Sequence, residues 1–252
     1  MAQQRGQQLR VAPGLVSALA PGGVLRASIN VGNPVLASRD AGSGGPAGVS
    51  VDLAREFARQ LGVRAELVVF SQAAASVAAV RNEQADVGFF AVDPARGDGL
   101  FFSAPYLLIE GSYLVGESSA LTGNAEVDRK GQRIAVGSGS AYDLFLTREV
   151  SQAEIVRFPG AGPALAAVRA GDAEVAAGIR QMLDEEARRA PGVRVLPGRF
   201  MVISQAMAIP ASRGAQARAL LAAFADQMKT SGFIANALDR HHIEGAIVAP
   251  AG

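Results

Sequence analysis

The chain of 252 residues contains no cysteine and no tryptophan, and its two histidines are the adjacent His241 and His242. The lack of cysteine excludes disulfides, thiol nucleophiles and thiolate metal sites. Neighbouring side chains on a helix point about 100° apart, so the two histidines could not easily share a metal ion. We expect an exposed helix end there, no metal and no cofactor. The functional chemistry must come from arginine, carboxylate, hydroxyl, amide and backbone groups.

The chain also lacks an excess of charge of either sign. Its 24 lysines and arginines oppose 23 aspartates and glutamates, for a formal net charge of +1. Nucleic-acid binding needs a basic excess, so nucleic acid is not an expected partner. No run of about 18 apolar residues could span a bilayer as a helix. Apolar residues still make up 49% of the chain, which predicts one large or two small globular domains with a sizeable core.

The first twenty residues have a superficial likeness to a signal peptide. Arg5 and Arg10 precede an apolar stretch that ends in the small residues 18–20. We reject that interpretation, because Pro13 and Gly14 interrupt the stretch. The glutamine-rich start is interpreted as a polar lead into the domain, and these residues leave the compartment open.

Strand and helix patterns alternate along the chain, which is typical of α/β proteins with parallel sheets and crossover helices. The first cycle has predicted strands at 24–30, 64–70 and 86–92 and predicted helices at 51–61 and 72–82. The second cycle has predicted strands at 133–136, 154–157, 174–178 and 192–196 and predicted helices at 141–149, 162–169 and 182–189. A strand at 205–209 comes too late to belong comfortably to the second cycle, and a helix at 215–228 follows.

Five segments carry a resemblance to a known family. They are 25–33, 48–54, the turn Asp93-Pro94-Ala95-Arg96, the stretch 102–106 and the loop at 139–140. Their order and spacing resemble those of the family 3 extracellular solute-binding proteins, which are the polar amino-acid-binding proteins of ABC uptake systems. The resemblance covers residues 24–240, nearly the whole chain.

The resemblance implies a two-lobed clamshell of the type II periplasmic-binding kind, in which each lobe is a mostly parallel sheet flanked by helices. Lobe 1 would comprise residues 1–111 and 205–252, and lobe 2 would comprise residues 112–204. The chain would cross between the lobes at 109–115 and 201–207, which are β-rich and suit connecting strands that bend modestly. This division would explain the late strand, and the cleft between lobes is a usual place for a small-molecule site.

Arg96 is the most informative candidate residue. It follows a strand predicted to end at Val92, so its guanidinium would lie at the carboxyl edge of the sheet, where α/β proteins place ligands. The resemblance implies that this arginine holds the ligand's α-carboxylate, and a planar fork that donates two parallel hydrogen bonds suits that group. The alternative is a surface arginine in a turn.

A loop between a predicted strand and a predicted helix offers free N–H groups and the positive end of a helix dipole to an anion. The residues expected to contact the ligand there are Ser138, Gly139, Ser140, Ala141 and Tyr142. Ser140 followed by Asp143 also resembles a capping pattern, so helix capping explains the serine equally well. The loop matches neither a dinucleotide fingerprint, nor a P-loop, nor the nucleophile elbow of hydrolases.

One departure from the family pattern bears on the ligand. Amino-acid binders usually carry an aspartate after the strand that spans 174–178 here, and it pairs with the ligand's ammonium; this chain has no aspartate there. If Arg180 faces the cleft, it would repel an ammonium and favour a second anionic group, unless Glu110 supplies negative charge. The alternative is that Arg180 pairs with Asp184 or Glu185 at the start of a helix.

The predicted cleft wall is unusually apolar. The stretch 88–92 places aromatic and aliphatic residues where relatives often place small polar ones. Strand alternation predicts that one of Phe89 and Phe90 enters the core while the other can reach the cleft. Phe90 and Val92 are the candidates, with core packing of both aromatics as the alternative. Asn33 offers an amide at the cleft rim, and a turn-capping role explains it equally well.

These observations predict a monomeric, periplasmic solute-binding protein. It would capture a small carboxylate-bearing ligand, an amino acid or related organic acid, and present it to an ABC transporter permease at the membrane. Acidic or non-standard amino acids and dicarboxylates are the favoured ligands. One alternative is an enzyme resembling cyclohexadienyl dehydratases, with Glu110 or Glu174 as general acid. The other is a sensor module, which the lack of a fused output domain disfavours.

Overall fold

The structure, a computed structural model, describes residues 11–250. The helices in this range are α1 (Pro13–Leu19), α2 (Val49–Leu61), α3 (Ala73–Arg81), α4 (Ala141–Glu149), α5 (Ala161–Ala170), α6 (Arg180–Arg189), α7 (Gly214–Thr230) and α8 (Phe233–Arg240). The strands are β1 (Val24–Asn30), β2 (Ser38–Arg39), β3 (Pro46–Ala47), β4 (Arg64–Phe70), β5 (Val87–Ala91), β6 (Leu100–Phe102), β7 (Leu107–Gly116), β8 (Arg133–Gly137), β9 (Glu154–Phe158), β10 (Val175–Ile179), β11 (Val193–Val195), β12 (Met201–Pro210) and β13 (Ile247–Val248). The predicted α/β class is confirmed. The predicted polar lead, with Arg5 and Arg10, lies outside the described residues.

One mixed sheet runs through the molecule in the order β4-β1-β5-β12-β7-β10-β8-β9. β1 is parallel to β4 and β5, and β8 is parallel to β9 and β10. Between these groups, β12 and β7 are antiparallel to each other and to their neighbours β5 and β10. The two parallel groups therefore correspond to the two predicted cycles, joined by a pair of long antiparallel strands.

The joining strands contain the two predicted crossovers. Residues 107–111 of β7 pair with residues 201–205 of β12, so residues 109–111 of the first segment lie beside residues 201–203 of the second. The strand predicted at 205–209 is the second part of β12, which also pairs with β5. Its late position in the sequence follows from this return to the first parallel group.

Local signals fix several element boundaries. β1, β4 and α4 begin and end at the predicted residues. Gly62 ends α2 in a left-handed conformation with φ 72°, and its N–H donates to the carbonyl of Ala58. The glycine-rich segment 38–48 contains the short hairpin β2–β3. None of the helices between residues 11 and 250 is long and apolar enough to cross a membrane.

The apolar face of α7 packs in the core. Leu221 and Phe224 are fully buried, and the Phe224 ring lies 4.7 Å, centroid to centroid, from Phe57 of α2. α1 adds Leu19, which is also fully buried in the same core cluster. Core packing around the first parallel group thus draws on α1, α2 and α7 together.

The histidine pair differs in part from the exposed helix end that was expected. His242 is exposed, but His241 is partly buried, and its Nε2 lies 2.8 Å from the Asp52 carboxylate. Arg240 donates to the same carboxylate at 2.9 Å. His241 is therefore a contact between α8 and α2, which spacing along the chain alone does not reveal.

Asp128 carries a structural role that its charged surroundings in the sequence do not show. Its carboxylate accepts hydrogen bonds from the backbone N–H groups of Ser151, Gln152 and Ala153 at 2.7–3.0 Å. These bonds, led by that from Ala153, lower the pKa of Asp128 to about 2. The carboxylate thereby fixes the turn that leads into β9.

Replacing Asp128 with alanine is expected to lower the free energy of unfolding at neutral pH by about 1 kcal/mol. Because the folded state holds the pKa below its unfolded value, this contribution is complete above roughly pH 4 and declines as the pH falls towards 2. Urea denaturation of both proteins across this range measures it. Asp98→Ala, at an exposed position, is the control. A wild-type advantage that stayed constant down to the lowest pH would contradict this role.

Candidate functional site

A cavity with about 680 Å³ of empty space, partly open to solvent, lies where the two parallel groups face each other. It is bordered by the carboxyl-terminal ends of β1, β5, β8 and β10 and by the first turns of α3, α4 and α5. β12 contributes part of the wall. Carboxyl ends of parallel strands are where α/β proteins bind ligands. The sequence candidates Arg96, Ser138, Ser140, Ala141, Tyr142, Asn33 and Phe90 all line this cavity.

Arg96 is buried, which makes the surface-arginine alternative wrong. It is 5% exposed, and its Nη1 donates to the Ala91 carbonyl at 3.2 Å while its Nη2 donates to the Gly139 carbonyl at 2.8 Å. The turn that presents it is held by Asp93, whose Oδ1 accepts from the Ala95 N–H at 2.9 Å. Arg96 therefore bridges β5 of one parallel group and the loop after β8 of the other.

The charge of Arg96 lacks a carboxylate partner within 4.0 Å among the described residues, in contrast to most arginines around it. Burial lowers the pKa of Arg96 to about 10, and nearby Asp93 only partly opposes that effect. The guanidinium is still protonated at neutral pH. A buried cation that is hydrogen-bonded only to carbonyl oxygens is well placed to receive an anion.

The loop at 138–140 is more fully bonded than its sequence suggests. Ser138 N–H donates to the Phe158 carbonyl, Gly139 N–H donates to the Asp143 carboxylate, and Ser140 N–H donates to the Gly137 carbonyl. The expectation that these three N–H groups are free is wrong. The three partners are therefore the last residue of β9, a residue in the first turn of α4 and the last residue of β8.

Ser140 caps α4, as the alternative interpretation proposed. Its Oγ accepts from the Asp143 N–H at 3.1 Å. The N–H groups of Ala141 and Tyr142 come next, and first-turn N–H groups have no partner within the helix. Both residues line the cavity, so within this loop they are the backbone donors that remain for a ligand. Burial raises the pKa of the Tyr142 phenol, which stays neutral.

Asn33 and Phe90, the remaining candidates that line the cavity, each combine a position at the cavity with the structural role that the sequence offered as the alternative. Asn33 borders the cavity, and its Oδ1 also accepts from the Val35 N–H at 3.2 Å, so it does cap a turn. Phe89 and Phe90 are each 3% exposed, and both border the cavity while packing in core clusters on opposite sides of β5. The aromatic wall and the core are therefore continuous here.

Four candidates are not among the residues that line the cavity, namely Gly139, Val92, Glu110 and Arg180. Val92 follows the last residue of β5 and is 46% exposed, because strand alternation turns it away from the side on which Ala91 borders the cavity. It is not a cleft-wall residue in this structure.

Glu110 and Arg180 belong to a charged cluster outside the cavity. Glu110 accepts from Arg180 Nε at 3.1 Å and from Arg199 Nη1 at 2.8 Å. Arg180 also donates to the Gly198 carbonyl and lies 3.9 Å from Asp184. The predicted placement of a second cation in the cleft is therefore wrong, and the alternative pairing with Asp184 is present.

Helix phase explains this placement of Arg180. It is the first residue of α6, and Ile179 before it and Met182 after it are the residues that border the cavity. Successive helical positions are rotated by about 100°, so Arg180 points elsewhere. The sequence identified the segment but not the side that faces inward.

The two carboxyls considered as general acids are poorly suited to that role. Hydrogen bonds from Arg199 and Arg180 lower the pKa of Glu110, and Arg133, which donates to Glu174 at 2.6 Å, lowers the pKa of Glu174. Neither residue lines the cavity. A general acid needs a raised pKa and reach to the substrate, and these groups have neither.

Sequence reasoning missed Gln205. Its side chain is 3% exposed and borders the cavity, and its Oε1 has no hydrogen-bond partner among the described residues. A buried amide oxygen without a partner is costly, so such atoms are usually satisfied. The available signal was a single amide in a strand otherwise rich in apolar residues.

Arg96 is not alone in linking the two sides of the cavity. Arg148 of α4 donates both terminal nitrogens to the Asp93 carboxylate, at 3.1 and 2.8 Å. Gly139 lies against α3 so closely that a Cβ built on it would be 2.7 Å from the Ala74 Cβ. The two sides are therefore in direct contact around the cavity mouth.

Comparison with known proteins identifies a family pattern and many similar folds. The pattern of the bacterial extracellular solute-binding proteins, family 3, matches residues 25–243. No curated protein matches the chain. Among solved structures, the solute receptor for L-cysteine of Neisseria gonorrhoeae is 22% identical with a TM-score of 0.78, covering 91% of this chain and 94% of that one.

Two further solved structures have the same overall fold. A mutant of ArgBP from T. maritima is 19% identical with a TM-score of 0.77, covering 91% of this chain and 100% of that chain. The ancestral amino acid-binding protein AncCDT-1, a precursor of cyclohexadienyl dehydratase, is 21% identical with a TM-score of 0.73, covering 86% of this chain and 95% of that chain. These similarities confirm the predicted two-lobed, type II periplasmic-binding fold.

Proposed function

The chain belongs to the bacterial extracellular solute-binding proteins, family 3, and from that premise we propose that its cavity binds the carboxylate of a small organic ligand through Arg96. The observation that carries this proposal is a guanidinium, 5% exposed, whose recorded hydrogen-bond partners are two carbonyl oxygens. A ligand carboxylate would supply the negative charge that the described surroundings of Arg96 lack.

The energetics of such a site suit reversible capture. A charge-assisted hydrogen bond contributes about 1.5–3 kcal/mol net. A micromolar dissociation constant corresponds to about −8.2 kcal/mol. Two bonds from Arg96, donors from the first turn of α4 and contact with the apolar wall are together of the right size for that affinity.

Capture would involve closure of two lobes about β7 and β12. We assign residues 1–111 and 205–252 to one lobe and 112–204 to the other, with the crossovers at 109–115 and 201–207. Two features support this division: the cavity lies between the two parallel groups, and within residues 11–250 the antiparallel pair β7 and β12 joins these groups into one sheet. Opening would separate Arg148 from Asp93, and Gly139 from Ala74.

Delivery would follow from recognition of the closed form by the permease of an ABC transporter. The family description places such proteins outside the cell membrane, which supports our assignment of this chain to the periplasm. We propose that it acts there as a monomer. The neighbouring structures whose names state amino-acid binding support an amino acid or related organic acid as the ligand class. We propose binding without conversion, because Glu110 and Glu174 lie outside the cavity lining with lowered pKa values.

The ligand can be identified directly. Protein purified from its host under native conditions is denatured, and the released small molecules are identified by mass spectrometry. Calorimetry then measures their affinities together with those of the amino acids, hydroxy acids and dicarboxylates. We expect the tightest ligand to carry a carboxylate. A tightest ligand that lacks any acidic group would overturn the proposal.

A further inference from the structure

The charges that border the cavity restrict the class of ligand further. This inference rests on the proposed function. Arg96 is the one charged residue among the described residues that line the cavity. The other polar side chains there are neutral amides and hydroxyls, including Asn33, Gln205 and Tyr142. A ligand with a single negative charge would therefore neutralise the charge of Arg96. A zwitterionic ligand would add a second positive charge, its ammonium, to the cavity.

Nearby carboxylates are not free to pair with that positive charge. Three carboxylates on elements close to the cavity are those of Asp93, Asp143 and Glu110. Each has an arginine partner, and the pairs are Asp93–Arg148 at 2.8 Å, Asp143–Arg157 at 3.0 Å and Glu110–Arg199 at 2.8 Å. None of the three carboxylates borders the cavity. A bound ammonium would be desolvated without a carboxylate and would share the cavity with a guanidinium.

Gln205 offers a different kind of acceptor beside Arg96. In the antiparallel pair of β12 and β5, Gln205 lies opposite Ala91, and the Ala91 carbonyl accepts from Arg96. Directly opposed residues of antiparallel strands have Cα atoms about 4.5–5.5 Å apart. The unpartnered Oε1 of Gln205 and the guanidinium therefore serve adjoining parts of the cavity. A neutral amide oxygen accepts one hydrogen bond from an uncharged donor without requiring a counter-charge.

We propose that the ligand is a monocarboxylate that carries an uncharged hydrogen-bond donor next to the carboxylate, as a 2-hydroxy acid does, and no ammonium. Arg96 would hold the carboxylate, and Gln205 Oε1 would accept from the hydroxyl. The apolar body would lie against Phe89, Met182 and Ile203, which border the same cavity.

Matched pairs of ligands test this proposal. Calorimetry compares lactate with alanine, 2-hydroxyisocaproate with leucine, and 3-phenyllactate with phenylalanine, using the wild-type protein. In the pair that binds best, the hydroxy acid is expected to bind about tenfold tighter or more than the amino acid. The analogue without the hydroxyl is expected to lose a similar factor, because it leaves Gln205 unpaired.

The outcomes separate this inference from the proposed function. Tighter binding by the amino acids, or by a dicarboxylate, would overturn the monocarboxylate inference while the carboxylate-binding function would stand. If no carboxylate in the wider panel bound, both would be overturned.

A substitution of Gln205 is expected to remove the preference for the hydroxy acid. Gln205→Glu places a carboxylate where an ammonium could pair, so the affinity ratio of hydroxy acid to amino acid is expected to fall about tenfold or more. Gln216→Glu makes the same change at an exposed position of α7 and should leave the ratio within about threefold of wild type. A ratio unchanged by Gln205→Glu would contradict the proposal.

Gln205→Leu provides a second test that does not bury a new charge. It removes the acceptor, so the hydroxy acid and the analogue without the hydroxyl should bind equally. If that variant kept the wild-type preference for the hydroxyl, Gln205 would not be its acceptor. Circular dichroism and thermal unfolding establish that each variant is folded before its affinities are compared.

Discussion

Arg96→Met is expected to weaken binding of the best carboxylate ligand by roughly 100-fold or more. The substitution removes two charge-assisted hydrogen bonds at about 1.5–3 kcal/mol each, and about 2.7 kcal/mol corresponds to 100-fold. Methionine keeps much of the length and apolar volume of the arginine stem. Because Arg96 has no ion-pair partner among the described residues, its loss strands no buried carboxylate there. Calorimetry of the folded variant measures the effect.

Two further variants test whether the loss of affinity is specific to the guanidinium of Arg96. Arg96→Lys keeps the charge but loses the planar fork, so an intermediate loss of about tenfold is expected. Arg81→Met removes a positive charge that acts on Arg96 from outside the cavity lining, and it should change affinity by no more than about threefold. Equal losses for Arg81→Met and Arg96→Met would show that the general field around the cavity, rather than Arg96 itself, binds the ligand.

Gly139→Ala is expected to weaken ligand binding by roughly tenfold to 100-fold through closure rather than through lost contacts. An added Cβ would lie 2.7 Å from the Ala74 Cβ across the cavity mouth, and overpacking of this kind costs about 1–3 kcal/mol. Gly139 also has φ 70°, so alanine there carries backbone strain in both the open and the closed form. The contact with Ala74 exists only when the two sides meet.

Gly171→Ala is the matched control for that experiment. Gly171 has φ 79°, and a Cβ built on it would meet no atom within 4 Å. It therefore carries the same kind of backbone strain without a clash across the cavity. Both variants should lose similar stability without ligand, and only Gly139→Ala should lose affinity. Equal affinities of the two variants would contradict closure at this contact.

The α/β class and most element boundaries could be predicted from the sequence, because the signals for helices and strands are local. Alternating strands and a glycine stop at Gly62 set element boundaries that depend on neighbours along the chain. Arg96 was found because it follows the end of a strand, and strand ends in α/β sheets face ligand sites. The loop before α4 was found for the same reason.

The errors arise where tertiary geometry decides. Arg180 points away from the cavity because of its phase on α6, and it pairs there with Glu110, which lies far away in sequence. The N–H groups at 138–140 are occupied by partners that sequence spacing does not reveal. Gln205 was overlooked because the direction of a side chain on β12 follows from its pairing with β5.

The central claim, that Arg96 receives a ligand carboxylate, is tested most directly by changing the ligand and leaving the protein intact. Calorimetry of the wild-type protein compares the best carboxylate ligand with its methyl ester, which has nearly the same shape and no negative charge. The ester is expected to bind roughly 100-fold more weakly or worse, because it cannot offer an anionic acceptor to the guanidinium. Equal affinity for acid and ester would contradict the account.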